Sequence, residues 1–137
     1  MMRRWRFEPG EAERGTAVAE FVMVSALLTT LTLAVLQLAL ALHVRNTVLD
    51  AAAEGARYAA LADSDLDQGA ARSRDLITTA IGPAYAADVT ASYAEVAGQP
   101  GVQVRVVAPL PMFGLLGVDR ALEVRGHAAV EELDETD

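Results

Sequence analysis

Hydrophobic and polar positions along this chain follow three successive patterns. From Phe21 to Leu42 no charged residue appears for 22 positions, only apolar side chains with scattered hydroxyls and one amide. At ~1.5 Å per residue, a helix of that length covers the ~30 Å hydrocarbon core of a bilayer. The run exceeds the ~7–15-residue core of a cleaved secretory signal, although Ala39-Leu40-Ala41 has the Ala-x-Ala form. A membrane span is therefore predicted, and the helix is expected to continue beyond it. From Val44 to Ala62 there is no proline, one glycine and abundant alanine. Val44, Val48, Ala51, Ala52, Gly55, Ala59 and Ala62 recur at spacings of three and four. They make a small apolar stripe that another backbone or a sheet could approach closely, while Glu54 and Arg57 can pair across one turn. A helix from Thr16 to Ala62 would be ~70 Å long.

Asp63 to Gly69 then reads as a terminating loop. Ala70 to Ile81 fits a second helix, stopped by Gly82-Pro83. Beyond it the period becomes two. Val89, Ala91 and Tyr93 form one alternating set, followed by a turn at Ala97-Gly-Gln-Pro-Gly101. Val102, Val104, Val106 and Ala108 form the next set, and Leu122, Val124, Gly126, Ala128 and Val130 the last. Three strands with one apolar face each need a cover, and the outer half of the long helix can supply it. The predicted class is α+β: a long N-terminal transmembrane helix extends out of the membrane and packs on a small three-stranded antiparallel sheet. The connection Pro109 to Gly117 is apolar, with two prolines and two glycines. It either plugs the end of the sheet or presents Met112, Phe113, Leu115 and Leu116 to a partner subunit or the outer membrane surface.

Composition sharpens the division. Of 137 residues, about 95 follow the apolar run, enough for a modest core. The net charge of −8 arises almost wholly after the run, and an acidic exterior argues against a nucleic-acid partner, which needs a basic footprint. All basic residues are arginine and cysteine is absent, so disulfides and thiolate metal sites are excluded. Arg3, Arg4, Arg6 and Arg14 precede the span, and only Arg45 and Arg57 follow closely. That asymmetry predicts a cytoplasmic N-terminus and an extracytoplasmic C-terminal domain on a single-pass protein of the plasma (inner) membrane. Residues 1–15 read as a cytoplasmic leader, 16–42 as the transmembrane helix, 43–130 as the extracytoplasmic α+β domain, and 131–137 as an acidic tail.

Candidate chemistry is sparse. Asp63, Asp65 and Asp67 alternate as in a calcium loop, but Gly69 falls at loop position 7 and Arg74 stands where a bidentate glutamate is required. His43 and His127 have no cysteine or His-x-x-x-His partner. No nucleophile elbow or phosphate-binding glycine loop appears. Neither an enzyme, nor a cofactor, nor a metal site is expected. Within the span, Ser25, Thr29, Thr30 and Thr32 can return hydrogen bonds to their own helix. Gln37 is suited to an interhelical contact or to reaching the outer interface.

Glu20 stands at the threshold of the apolar run, where a carboxylate is costly without a partner. One role is to favour the helix N-terminus and pair with Arg14. The other depends on Gly15. A cut after Gly15 would put a new amine on Thr16, four residues before Glu20, and positions i and i+4 lie together on a helix.

The segment Arg14-Gly15-Thr-Ala-Val-Ala-Glu20-Phe21 and the long apolar helix after it resemble the processing site of type IV pilin-like proteins. Arg45-Asn-Thr-Val-Leu-Asp-Ala51-Ala52-Ala-Glu54-Gly55-Ala56-Arg57-Tyr58-Ala59-Ala60 is similar to the stretch that follows the span in TadE-like proteins of the tight-adherence (Tad/Flp) pilus system. The resemblance extends to the strand, the Pro/Leu/Gly-rich connection and the last strand. It implies a pilin-like fold and a minor pseudopilin or assembly component. It further implies a prepilin peptidase acting between Gly15 and Thr16, with Glu20 and Phe21 guiding assembly. Other pilins or pseudopilins, the Tad membrane platform and the lipid bilayer would be its partners. The span departs from the family's usual pattern at Ser25-Ala26, where a proline is common, and at Gln37, where an acidic residue is. The alternative is a single-pass membrane-anchored extracytoplasmic binding domain unrelated to pili.

Overall fold

The computed structural model describes residues 9–61, 63–110 and 121–130. Helix α1 spans Pro9–Ala59 and helix α2 Leu66–Ile81; a 3-10 turn, Pro83–Ala86, follows. Strands β1 (Asp88–Val96), β2 (Gln99–Pro109) and β3 (Ala121–Ala129) form one antiparallel sheet in the order β1-β2-β3. The architecture is the predicted α+β one: a long apolar N-terminal helix with a small three-stranded antiparallel sheet packed on it. Contacts divide the chain into two units, Met1–Leu38 and Ala39–Asp137.

The described part of the first unit is α1 alone. Proline in the first helical turn is pre-organised for helix, and the following Ala- and Leu-rich sequence sustains it. Among the described residues nothing covers its large apolar side chains: Phe21 and Met23 are 72% and 73% exposed. Thr30 and Thr32 donate back to the carbonyls of Ala26 and Leu28 at 2.8 Å. Their hydroxyls are thereby satisfied within the helix, as an apolar solvent would demand.

The second unit holds the core. The outer part of α1 contributes Val44, Val48, Ala51, Ala52, Ala56 and Ala59, all buried. The central strand β2 answers with Val102, Val104, Val106 and Ala108, each at most 1% exposed. Ile77 of α2, Val89 of β1 and Val124 of β3 complete the main cluster. The opposite sheet face carries Gln103, Arg105, Glu123, Arg125 and His127, in the alternation expected for a one-sided sheet.

Several details differ from expectation. Helix α2 begins at Leu66, inside the segment expected to be loop, because Asp65 caps it: its side chain accepts from the Gln68 amide at 2.8 Å. Asp65-Leu-Asp-Gln68 has the spacing of a capping box, a legible signal that the run of aspartates obscured. The β1–β2 turn is tighter than expected. Val96 pairs with Gln99, leaving Ala97 and Gly98 as a two-residue loop at φ 52° and 80°, the type I′ form that suits strand twist. Tyr93 shares the face of Val89 and Ala91 yet is 75% exposed on edge strand β1, although its cross-strand partner Val102 is fully buried. Helix α1 ends at Ala59, and Ala62, the last member of the expected stripe, lies outside the described residues.

Candidate functional site

Three surfaces could carry function: the threshold of the span, the small-residue stripe and the open sheet face. At the threshold, Gly15, Thr16, Glu20 and Phe21 are all helical and exposed within α1. Thr16 donates its hydroxyl to Ala12 O at 2.9 Å. A Cβ at Gly15 would meet nothing within 4 Å, so this glycine is not required for packing. Among the described residues, Arg14 and Glu20 form no ion pair. Six positions on a helix place them on different faces, so Glu20 is not held by Arg14. Gln37 is half-buried on the same helix.

The stripe is consumed inside the second unit. Gly55 faces α2: a Cβ there would lie 2.6 Å from Gly69 O and would overlap the Ser73 hydroxyl. Gly69 presses back on Ala59 in the same way. Buried Ser73 donates to Ala51 O at 2.9 Å, which ties the two helices at their closest approach. Ala52 meets β3, where a Cβ at Gly126 would fall 2.6 Å from Ala52 O and overlap the Ala52–Ala53 peptide. Ala51, Ala52, Gly55 and Ala59 therefore let α1 contact a helix and a sheet at once. The sequence indicated small residues on α1 but missed Gly69 and Ser73. Their signal was the same small-residue spacing of four, on α2.

On the open sheet face, Glu123 bridges two arginines, accepting from Arg105 at 2.9 Å and from Arg125 at 2.6 Å. Arg105 and Arg125 are direct cross-strand partners, and like charges so placed repel. Glu123 relieves this, and the hydrogen bond from Arg105 followed by that from Arg125 lowers its carboxyl to about 2. His127 Nε2 and Gln103 Oε1 lie 2.9 Å apart beside them. Glu54 and Arg57 pair at 3.8 Å on α1, an exposed contact of small energetic weight. Among the described residues, no group of three or more His, Cys, Asp or Glu side chains could hold a metal ion. The candidate patch Met112, Phe113, Leu115 and Leu116 and the acidic tail 131–137 lie outside the described residues.

These features define a class: a helix long and apolar enough to cross a membrane, joined to a small α+β domain held by close packing of backbones. Residues 15–57 match the family model described as TadE-like protein, the family that the sequence resembles. The match contains Gly15, Glu20 and the stripe through Arg57. No curated protein and no solved structure gives a significant match.

Proposed function

We propose that the chain is a minor pseudopilin or assembly component of a Tad-type pilus or related secretion apparatus, acting by helix–helix and domain–domain contact. The observation that carries this is the conjunction, within one family-matched segment, of Gly15-Thr16, Glu20-Phe21 and an uncovered apolar helix. In this reading a prepilin peptidase cuts between Gly15 and Thr16. The Thr16 amine and Glu20 then neutralise one another on the same or a neighbouring helix, one turn apart. That bond lies inside α1, so the leader side must unwind locally to enter a peptidase. Phe21 and Gln37 contribute to packing against neighbouring spans. The N-terminus is cytoplasmic, the domain is extracytoplasmic, and Met112, Phe113, Leu115 and Leu116 form a patch for a partner subunit held at the membrane.

Mass spectrometry of the membrane-extracted protein tests the reading. An N-terminus at Thr16, abolished by Gly15→Val, supports it. Retention of the leader in cells holding an active prepilin peptidase, with assembly unaffected by Glu20→Ala, supports instead a plain anchor for a binding domain.

A further inference from the structure

In the order β1-β2-β3, strand β1 forms one edge of the sheet. Val96↔Gln99 closes a two-residue turn, so this pair is hydrogen-bonded, and alternate residues back to Asp88 also bond to β2. The backbone groups of Val89, Ala91, Tyr93 and Glu95 therefore point out of the sheet. Arg74 of α2 reports the same parity, its Nη2 donating to Val89 O at 2.7 Å. That guanidinium caps one end of the edge. Among the described residues, no backbone hydrogen bond reaches the outward groups of Ala91, Tyr93 or Glu95. Beside them an open cleft of about 610 Å³, lined by Tyr93, Ala94, Glu95 and the turn, leaves room for another strand. An edge of this kind templates pairing wherever it is not blocked.

A second copy of the same strand would satisfy this edge in one register. Outward groups must meet outward groups, so an antiparallel twofold pairing joins odd-numbered residues to odd-numbered residues. With Tyr93 on the axis, Tyr93 opposes its twin, Ala91 opposes Glu95, and Ser92 opposes Ala94. The hydrogen-bonded pairs would exchange about six N–H···O bonds and stop short of the capped Val89. An axis nearer Asp88 would draw on Val89, and one at Glu95 would oppose two carboxylates. Tyr93, 75% exposed, gains an aromatic cross-strand partner.

Charge favours the same register. Glu95 lies one diagonal step from Val89 of the other copy, on the same sheet face, beside the guanidinium that caps it. Glu95 and Arg74 are both exposed, and neither has an ion-pair partner among the described residues. The twofold axis brings them together twice. Strand β1 runs with α1 and α2 runs against it, so the two copies of α2 extend away from the axis in opposite directions. We propose that the β1 edge is a self-association surface, where two copies of the chain join their sheets into one antiparallel sheet through Tyr93 and two Glu95–Arg74 ion pairs.

The absence of cysteine makes the register readable by disulfide capture. Full-length Ser92→Cys and Ala94→Cys chains, one carrying a size tag, are mixed in detergent micelles and oxidised with copper phenanthroline. Opposed residues of a non-hydrogen-bonded pair have Cα atoms about 4.5 Å apart, within disulfide reach, whereas the diagonal 92–92 and 94–94 pairs are about 7–8 Å apart. The mixed disulfide should exceed random coupling several-fold. Glu95→Arg should reduce it several-fold and added Arg74→Glu should restore it, with far-UV melts confirming that each variant folds. Raising the salt should weaken the mixed product of the otherwise unaltered chains, a readout that needs no change at the ion pair. A mixed product no greater than random coupling overturns the proposal. So does dominant 92–92 capture, which moves the axis, or protection of the edge only after a different subunit is added.

Discussion

Replacing Gly126 by alanine tests whether backbone proximity between α1 and β3 holds the domain together. The added Cβ would lie 2.6 Å from Ala52 O and overlap the Ala52–Ala53 peptide, where ordinary contact begins at 3.4 Å. Backbone cannot rotate aside as a side chain can, so α1 must retreat by about 1 Å, and interiors packed at crystal-like density do not absorb that freely. The displaced helix would lose contact with Val104, Val106 and Val124, all now buried. Overpacking of this kind costs about 1–3 kcal/mol, and the loss expected here is about 2 kcal/mol. For a domain of this size that lowers Tm by roughly 10 °C. Circular dichroism of the detergent-solubilised full chain reads it, the domain melting while the span stays helical. Gly10→Ala is the control, because a Cβ at Gly10 meets nothing within 4 Å. Adding Ala52→Gly to Gly126→Ala should restore nothing, as the clash is with backbone. A Gly126→Ala protein melting within a degree or two of the parent would refute the argument.

Ser73→Ala removes the buried bond to Ala51 O and should cost about 1 kcal/mol in the same melt, since Ala51 O keeps its helical partner. Asp65→Ala removes the α2 cap and should cost about 1 kcal/mol, with amide exchange rising first at Gln68. Glu123 titrates at about 2 in the folded chain against an ordinary 4.5, so its contribution is present above that ordinary value and is lost as pH falls between the two. Glu123→Gln should flatten the stability profile over that acidic window, and high salt should shrink the difference, because the pair is solvent-exposed.

Much of the architecture is legible along the chain because periodicity reports local geometry. The period-two runs at 102–108 and 122–130 became β2 and β3, and the stripe from Val44 to Ala59 became the buried face of α1. Where the pattern misled, a short-range bond prevailed over composition. The aspartates at 63–67 suggested solvated loop, but one of them caps a helix. Tyr93 continued an apolar alternation, but a residue's exposure depends on what lies opposite, which its own strand does not encode. At the candidate site, Gly15, Thr16, Glu20 and Phe21 were recognisable by motif, whereas Gly69 and Ser73 were not, because a small residue announces tolerance for a neighbour without naming it.

By itself, then, the sequence determined an apolar helix long enough to cross a membrane, its continuation beyond Leu42, the one-sided strands and the segment that matches the TadE-like family model, since each depends on residues near in the chain. Tertiary structure alone decided which small residues touch: Gly55 with α2, Ala52 with Gly126. It also decided that Glu123 would join two like charges across β2 and β3. Those outcomes depend on strand register and helix direction, which arise only when distant segments compete for the same buried surface.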